Sequence, residues 1–512
     1  MPLLPALAFL APVPLLLAAA IAALRPGRRP VGVPRLAEGA ALLTLAMAVA
    51  GVLQLALSGP IDTGLLRLDA ISAAMVLLVS FIGWVIVRYA RTYLDGEARE
   101  GAFHALMLAT LAAVLVLVQA ANLILVLAGL VVMGLGLRQL LLFYPDRPEA
   151  RRAATKFSLV WGAGDAALAG AVLLLWFAHG TADITALGQS VASGATLTTH
   201  LTIVLIVLAA ALKTAAFPLH GWLTEVMEAP TPVSALLHAG IINAGGFLLV
   251  RMAEVVQASP GAMAALVMLG GFTALFGAAV MLTQSAVKTA LAWSTVSQMG
   301  FLLLECGLGL WALAMLHIVA HSLYKAHAFL SAGGAIQAVA ATRKPGPVAV
   351  PGFGAVGRAF AAALVLYAVV ATGFELAFGA VSPQALALGA ILIFGVAYLI
   401  AQGLADAAPR ALTQRTALAS LAAAVAYFGF HILAEAFWSH QLPHPPVPGP
   451  LEWALIVLAL LSFGLVAVAQ ALFPLWSHHP SAAGLRVHLA NGLYLNAVLD
   501  RLIGGFRAAK PL

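Results

Sequence analysis

Apolar residues come in windows of about 18 to 25 positions separated by short polar connections, the length a helix needs to cross a hydrocarbon core of about 30 Å. The pattern predicts spans near 3–24, 37–58, 70–90, 102–119, 121–144, 157–178, 199–220, 232–256, 261–283, 287–307, 310–340, 357–380, 383–405, 415–437 and 451–475. The expected fold is therefore an all-α polytopic membrane protein of about 15 transmembrane helices. Ten-residue segments of alternating polarity are absent, which argues against a barrel. The first window, Met1 to Leu24, lacks a basic leader and a small-residue cleavage site, so it is expected to remain as a span.

Composition agrees: 63% of the 512 residues are hydrophobic and 9% are charged. A net charge of +7 would suit nucleic acid, but the placement of the charges points to a membrane. Arg25, Arg28, Arg29 and Arg35 share one connection, and Arg88, Arg91 and Arg99 another. Similar clusters are Arg147, Arg151, Arg152 and Lys156; Arg343, Lys344 and Arg358; Arg410 and Arg415; and Arg486, Arg501, Arg507 and Lys510. These are alternate connections, and the intervening ones hold almost no basic residue apart from Arg67 and Arg251. The positive-inside rule then expects an outside N-terminus, a cytoplasmic C-terminus and an odd number of spans. A lone cysteine, Cys306, excludes an intramolecular disulfide. The tail after Ser477 is partly amphipathic, which suits a membrane surface or a partner; a frayed end is the alternative.

Sorting the titratable residues of the predicted spans by depth leaves a short list: Arg138, Asp165, Lys213, His238, His317, His321, Lys325, His327 and Glu375. A charge at mid-bilayer costs roughly 2.5 to 3.5 kcal/mol on insertion scales, so such residues face a bundle interior and mark an ion or proton route. His317, His321 and Lys325 recur every fourth residue and share one helical face. Neutral imidazole both accepts and donates a proton, and a column of imidazoles ending in an amine suits a proton relay. Zinc would also favour His at i and i+4, but no third ligand accompanies the pair; histidines bonded to backbone carbonyls are the plainer alternative, above all for His327. Lys213 precedes Pro218, which is expected to break the helix a turn further on and free carbonyls near the charge. The alternative for Lys213 is snorkelling at a span end. Asp165 is the expected counter-ion of Lys213, and His238 a link between Lys213 and the column. Lys288 reads as an interfacial anchor, and Glu225 and Glu228 as caps or gates of the broken helix.

The run Lys213-Thr-Ala-Ala-Phe-Pro-Leu-His-Gly-Trp-Leu-Thr-Glu-Val-Met-Glu-Ala-Pro-Thr-Pro-Val-Ser-Ala-Leu-Leu-His238 resembles the signature of the antiporter-like subunits of respiratory NADH:quinone oxidoreductases and Mrp-type cation/proton antiporters. So does Lys288-Thr-Ala-Leu-Ala-Trp-Ser-Thr-Val-Ser-Gln-Met-Gly followed by the His317, His321, Lys325 column, and the likeness runs from about residue 65 to 340. The resemblance implies two inverted five-helix repeats containing broken helices, here 101–257 and 258–406. N-terminal helices in 1–100, C-terminal helices in 407–476 and a cytoplasmic tail in 477–512 flank them. It also assigns Lys213, His238, His317, His321 and Lys325 to proton translocation.

Three departures narrow the family. The fifth-span glutamate of the respiratory members falls on Val131, beside Leu130, leaving Asp165 as the substitute. The second repeat lacks the expected broken-helix lysine, and the segment around Ala371 offers only Glu375. The chain also ends near 512 without a long lateral helix. With the tail motif from Arg486 to Arg501, these features resemble the membrane subunit of the DAB inorganic carbon transporters. That resemblance implies a large cytoplasmic partner, DabA, similar to a zinc carbonic anhydrase. Flow of protons, or of sodium, through this chain would drive the partner's hydration of carbon dioxide to bicarbonate. The chain itself is then a transporter subunit and not an enzyme, with no catalytic residue, cofactor or metal of its own; zinc is expected in the partner. The alternative is a proton-pumping subunit of a respiratory complex or an Mrp antiporter.

Overall fold

A computed structural model describes residues 7–192, 194, 196–334, 352–403 and 410–502. Arg343, Lys344, Arg507 and Lys510 lie outside the described residues, as does the 335–340 end of one predicted span. The principal helices are α1 (Pro12–Ala23), α2 (Val33–Ser58), α3 (Ala70–Tyr93), α4 (Glu100–Val118), α5 (Leu123–Leu141), α6 (Pro148–His179), α7 (Leu197–Lys213), α8 (Thr231–Ala239) and α9 (Ala244–Arg251). They continue with α10 (Pro260–Met281), α11 (Val287–Gly307), α12 (Trp311–Ser331), α13 (Phe353–Phe378), α14 (Pro383–Gly403), α15 (Arg410–Trp438) and α16 (Pro450–Ala471). Two short tail helices follow, α17 (Pro480–Ala490) and α18 (Leu495–Leu502). Every span expected from the apolar windows overlaps one of these helices. Among the described residues, 10 helical segments are long and apolar enough to cross a membrane, α8 and α9 counting as one through their short connection.

The side chains are arranged for lipid. Leu53, Leu57, Val132, Leu135, Val204, Leu208 and Leu465 point outward, while Lys213, His238, His321 and Lys325 are buried. An aqueous protein would place these groups the other way round. Helices α10 and α11 meet backbone to backbone through Gly270, Gly277, Gly300 and Gly307. A Cβ on Gly270 would stand 2.5 Å from the Leu304 nitrogen, and one on Gly277 2.6 Å from the Ser297 nitrogen. Small residues allow such close approach where lipid supplies no hydrophobic drive to pack helices.

One end of the bundle carries a short antiparallel hairpin, Ile61–Asp62 with Arg67–Leu68, a small β element that the helical windows do not foretell. Beside it, Asp69 caps α3 through the Ser72 N–H and receives Arg251 from the end of α9 at 2.6 and 3.2 Å. Burial works to raise the Asp69 carboxyl, but the Arg251 guanidinium and the Ser72 hydrogen bonds hold it below its ordinary value. Arg251, an exception to the basic-cluster pattern, is thus an internal tie between α3 and α9.

Three expectations are corrected. The helix carrying Lys213 does not run on to a proline kink: α7 ends at Lys213, and Ala215 takes a left-handed φ of 50° in the elbow that follows. The span expected at 232–256 is interrupted at Gly240–Asn243, where the Asn243 amide donates to the Ala239 carbonyl, which the break releases from helical bonding. In the second half, α13 and α14 run without interruption, so the second broken helix implied by the family resemblance is not found there. The tail rests on its own chain: Asn496 donates to Thr224, and the Gln284 amide donates to the Ala490 carbonyl.

Candidate functional site

The elbow after α7 holds the first charged pair. Lys213 is fully buried; its Nζ lies 2.6 Å from Asp165 Oδ1 on α6 and 3.9 Å from the centroid of the Trp161 ring. Trp161 in turn donates from its indole nitrogen to the Leu130 carbonyl at 3.2 Å. The slot left apolar by Leu130 and Val131 is therefore backed by an indole, and the carboxylate comes from α6. The lysine is turned into the bundle rather than snorkelling to its edge.

The second group is a ladder between the antiparallel pair α11 and α12. His317 Nδ1 lies 2.8 Å from Glu305 Oε2, His321 Nδ1 lies 2.6 Å from Gln298, and Lys325 donates to Ser294 Oγ at 2.7 Å and the Leu291 carbonyl at 3.2 Å. The two imidazole rings are 5.9 Å apart, centre to centre. The four-residue spacing on α12 thus does put the three groups on one face, against α11. Glu305 was missed by sorting titratable groups by depth, since it lies near the end of its span. A signal was present: Ser294, Gln298 and Glu305 recur at intervals of four and seven, the spacing of one helical face.

His238 joins this ladder through the main chain: its carbonyl accepts a hydrogen bond from His321 Nε2 at 3.0 Å. That commitment fixes the options at His321. As a neutral ring it needs a donor at Nδ1, so the Gln298 amide must turn its nitrogen there; as a cation it donates to Gln298 Oε1, the orientation observed. Gln298 can follow the charge on His321 by turning its amide. The His238 tautomer follows similarly. Thr295 gives its hydroxyl hydrogen to the Leu291 carbonyl and so accepts from His238 Nδ1–H at 3.1 Å. That leaves His238 Nε2 as a buried lone pair without a partner. The ring stacks on Phe329 at 4.3 Å.

A cavity of about 780 Å³ opens against Gln298, Glu305, His317, His321, Tyr324 and Tyr427. Gln298, Glu305, His317 and His321 give this largely apolar cavity a polar flank along the ladder. The remaining sequence candidates fall apart from it. Glu375, half-exposed on α13, makes no hydrogen bond or ion pair to the ladder among the described residues, and His327 is exposed. Lys213 makes no direct bond to His238 among the described residues, so any transfer between them needs water. Glu225 pairs with Lys156 at 2.6 Å, and Glu228 with Arg147 at 2.8 Å.

Comparison with known proteins places this arrangement. The family described as NADH:quinone oxidoreductase/Mrp antiporter, TM, matches residues 120–401, over half of the chain, and the family of the complex I chain 5 N-terminus matches 60–104. "Probable inorganic carbon transporter subunit DabB2" of Halothiobacillus neapolitanus is 37% identical over 456 residues, covering 86% of this chain and 81% of the relative. "Probable inorganic carbon transporter subunit DabB" of Hydrogenovibrio crunogenus is 44% identical over 269 residues, 52% of each chain. A chain of the Mrp complex from Dietzia sp. DQ12-45-1b superposes with a TM-score of 0.62 at 23% identity, over 97% of this chain and 59% of that one, which shows a shared fold. On this evidence the chain belongs to the NADH:quinone oxidoreductase/Mrp antiporter membrane family, on the branch of the DabB inorganic carbon transporter subunits.

Proposed function

We propose that this chain conducts protons across the bacterial inner membrane, and that their flow energises inorganic carbon uptake through hydration of carbon dioxide by a cytoplasmic, carbonic-anhydrase-like partner, DabA. The observation that carries the reading is the buried ladder in which His317, His321 and Lys325 each bond to a polar group of α11 inside an apolar bundle. Such groups are costly there and serve a proton path well. Lys213, held by Asp165, exchanges protons through water with His238 Nε2. His321 takes a proton at Nδ1 as Gln298 turns, and His317 hands it to Glu305 beside the cavity. Glu375 stands apart as counter-charge or exit. The N-terminus faces outward and the C-terminus the cytoplasm, with residues 101–257 and 258–406 as the two antiporter-like units.

The names of the relatives support carbon transport as the task. One charge falling through the membrane potential releases about 2.3 kcal/mol per 100 mV. That biases a near-equilibrium hydration roughly 50-fold toward bicarbonate if one proton moves per turnover. Hydration chemistry and its zinc belong to the partner. The test is carbon-dependent growth of an anhydrase-deficient host expressing this chain with its partner, with and without an uncoupler. Uncoupler, Lys213→Ala and Lys325→Ala should each abolish rescue while the two subunits still co-purify. Rescue that survives all three overturns the reading. A second reading, cation/proton exchange as in Mrp antiporters, is favoured by the family match alone; it predicts sodium-dependent proton movement without any partner.

A further inference from the structure

A second buried charge cluster lies outside this line, where three distant segments meet. Lys156 of α6, its side chain fully buried, stands 2.6 Å from Glu225 Oε1 of the elbow and 2.7 Å from Asp500 Oδ1 of α18. One ammonium faces two carboxylates, so the cluster holds one negative charge more than it neutralises. Asp500, 6% exposed, has the Lys156 ammonium as the counter-charge of its Oδ1, the same ammonium that Glu225 uses. Two carboxylates sharing one buried ammonium leave a negative charge that a proton would cancel.

The cluster is joined to the line by one elbow and one helix. The elbow that ends at Glu225 begins at Lys213, and α6 carries Asp165 as well as Lys156. Between the two charged groups stand Phe157, Trp161 and Trp222, with ring centroids 5.2 to 6.1 Å apart. The Trp222 indole nitrogen and both nitrogens of His220 are buried in this elbow without partners. Three orphaned ring nitrogens in one short segment are polar groups that a water would satisfy.

We infer that Lys156, Glu225 and Asp500 form the proton-loading site on the face that carries the tail, feeding Lys213 through water held at His220 and Trp222; this rests on the proton-conducting reading above. A proton arriving from that face adds to a carboxylate of the pair, Asp500 or Glu225, and cancels the excess charge. It then leaves along the elbow, restoring the carboxylate for the next one. The tail helix α18 is on this account part of the conduction path, supplying one of its acids.

The full chain in proteoliposomes, under a potassium diffusion potential and with a trapped pH dye, tests this. Asp500→Asn keeps the size of the side chain and removes its charge, and protease resistance of the tail reports whether α18 stays docked. The expected result is at least a tenfold drop in proton flux for Asp500→Asn and for Glu225→Gln, with the tail protected and flux restored by Asp500→Glu. Flux within twofold of wild type in a docked Asp500→Asn overturns the inference. If that variant undocks, Glu225→Gln decides: wild-type flux there overturns it, a tenfold loss upholds it. Lys325→Ala, measured in parallel, separates the two claims. Loss there beside normal flux in Asp500→Asn removes the loading site alone, whereas normal flux in Lys325→Ala removes the line and the loading site with it.

Discussion

Asp165→Asn isolates the charge that holds Lys213 in place. At 2.6 Å and an effective dielectric of about 20, the attraction is roughly 6 kcal/mol. The Asp165 side chain is 18% exposed, so nearby water screens part of this, and halving leaves about 3 kcal/mol. If the carboxylate stabilises the charged lysine during transfer, losing it slows conduction by roughly 100-fold, since each 1.36 kcal/mol is a factor of ten. Asparagine fills the same space and can still accept a hydrogen bond, so the fold should survive; Asp165→Glu should recover most of the flux. The assay is the initial rate of internal pH change in proteoliposomes under an imposed potential, normalised to monodisperse protein. Flux within threefold of wild type in Asp165→Asn would refute the reasoning, because the pair would then be a structural tie.

Glu305→Gln removes the acid bonded to His317 and should cut proton flux at least tenfold without changing the melting temperature, read by flux assay and by tryptophan fluorescence on heating. Asp69→Asn leaves Arg251 buried without its partner, a loss of about 3 to 5 kcal/mol, seen as a lower melting temperature at neutral pH. Because the folded-state carboxyl sits below its ordinary 3.8, the wild type keeps the pair's contribution above that pH and loses it on further acidification, so the gap to Asp69→Asn should narrow below pH 3.8. Gly277→Leu drives a side chain into the Ser297 backbone and should cost about 1 to 3 kcal/mol or more, measured as reduced monodisperse yield.

The helices were legible because lipid demands long apolar windows, and every window holds helix, broken only at 232–256 and cut short after Lys213. The interruption at Gly240–Asn243 was not, because it lies within an apolar window like the others; what sustains it is Asn243 reaching both Ala239 and Ser322, a tertiary contact. The pairing of Lys213 with Asp165 was legible from chemistry, since a buried ammonium needs a nearby anion. Glu305 escaped because depth along a span is a poor guide to what faces a cavity, and its partner becomes visible only once α11 and α12 are in register. Lys156 escaped for a related reason. It sits among connection arginines in sequence, yet the fold closes over it with an acid from 344 residues further along the chain.

The glycine contact between α10 and α11 leaves no clearance for one helix to slide along the other. The pair therefore behaves as a stator: the ladder's α11 side is fixed to a rigid slab. If the chain conducts protons as proposed, movement is expected at side-chain rotors such as Gln298, or at the two places where backbone has already given up helical bonding. An engineered staple across α10 and α11 ought to be silent, whereas one that spans either gap ought to halt the machine.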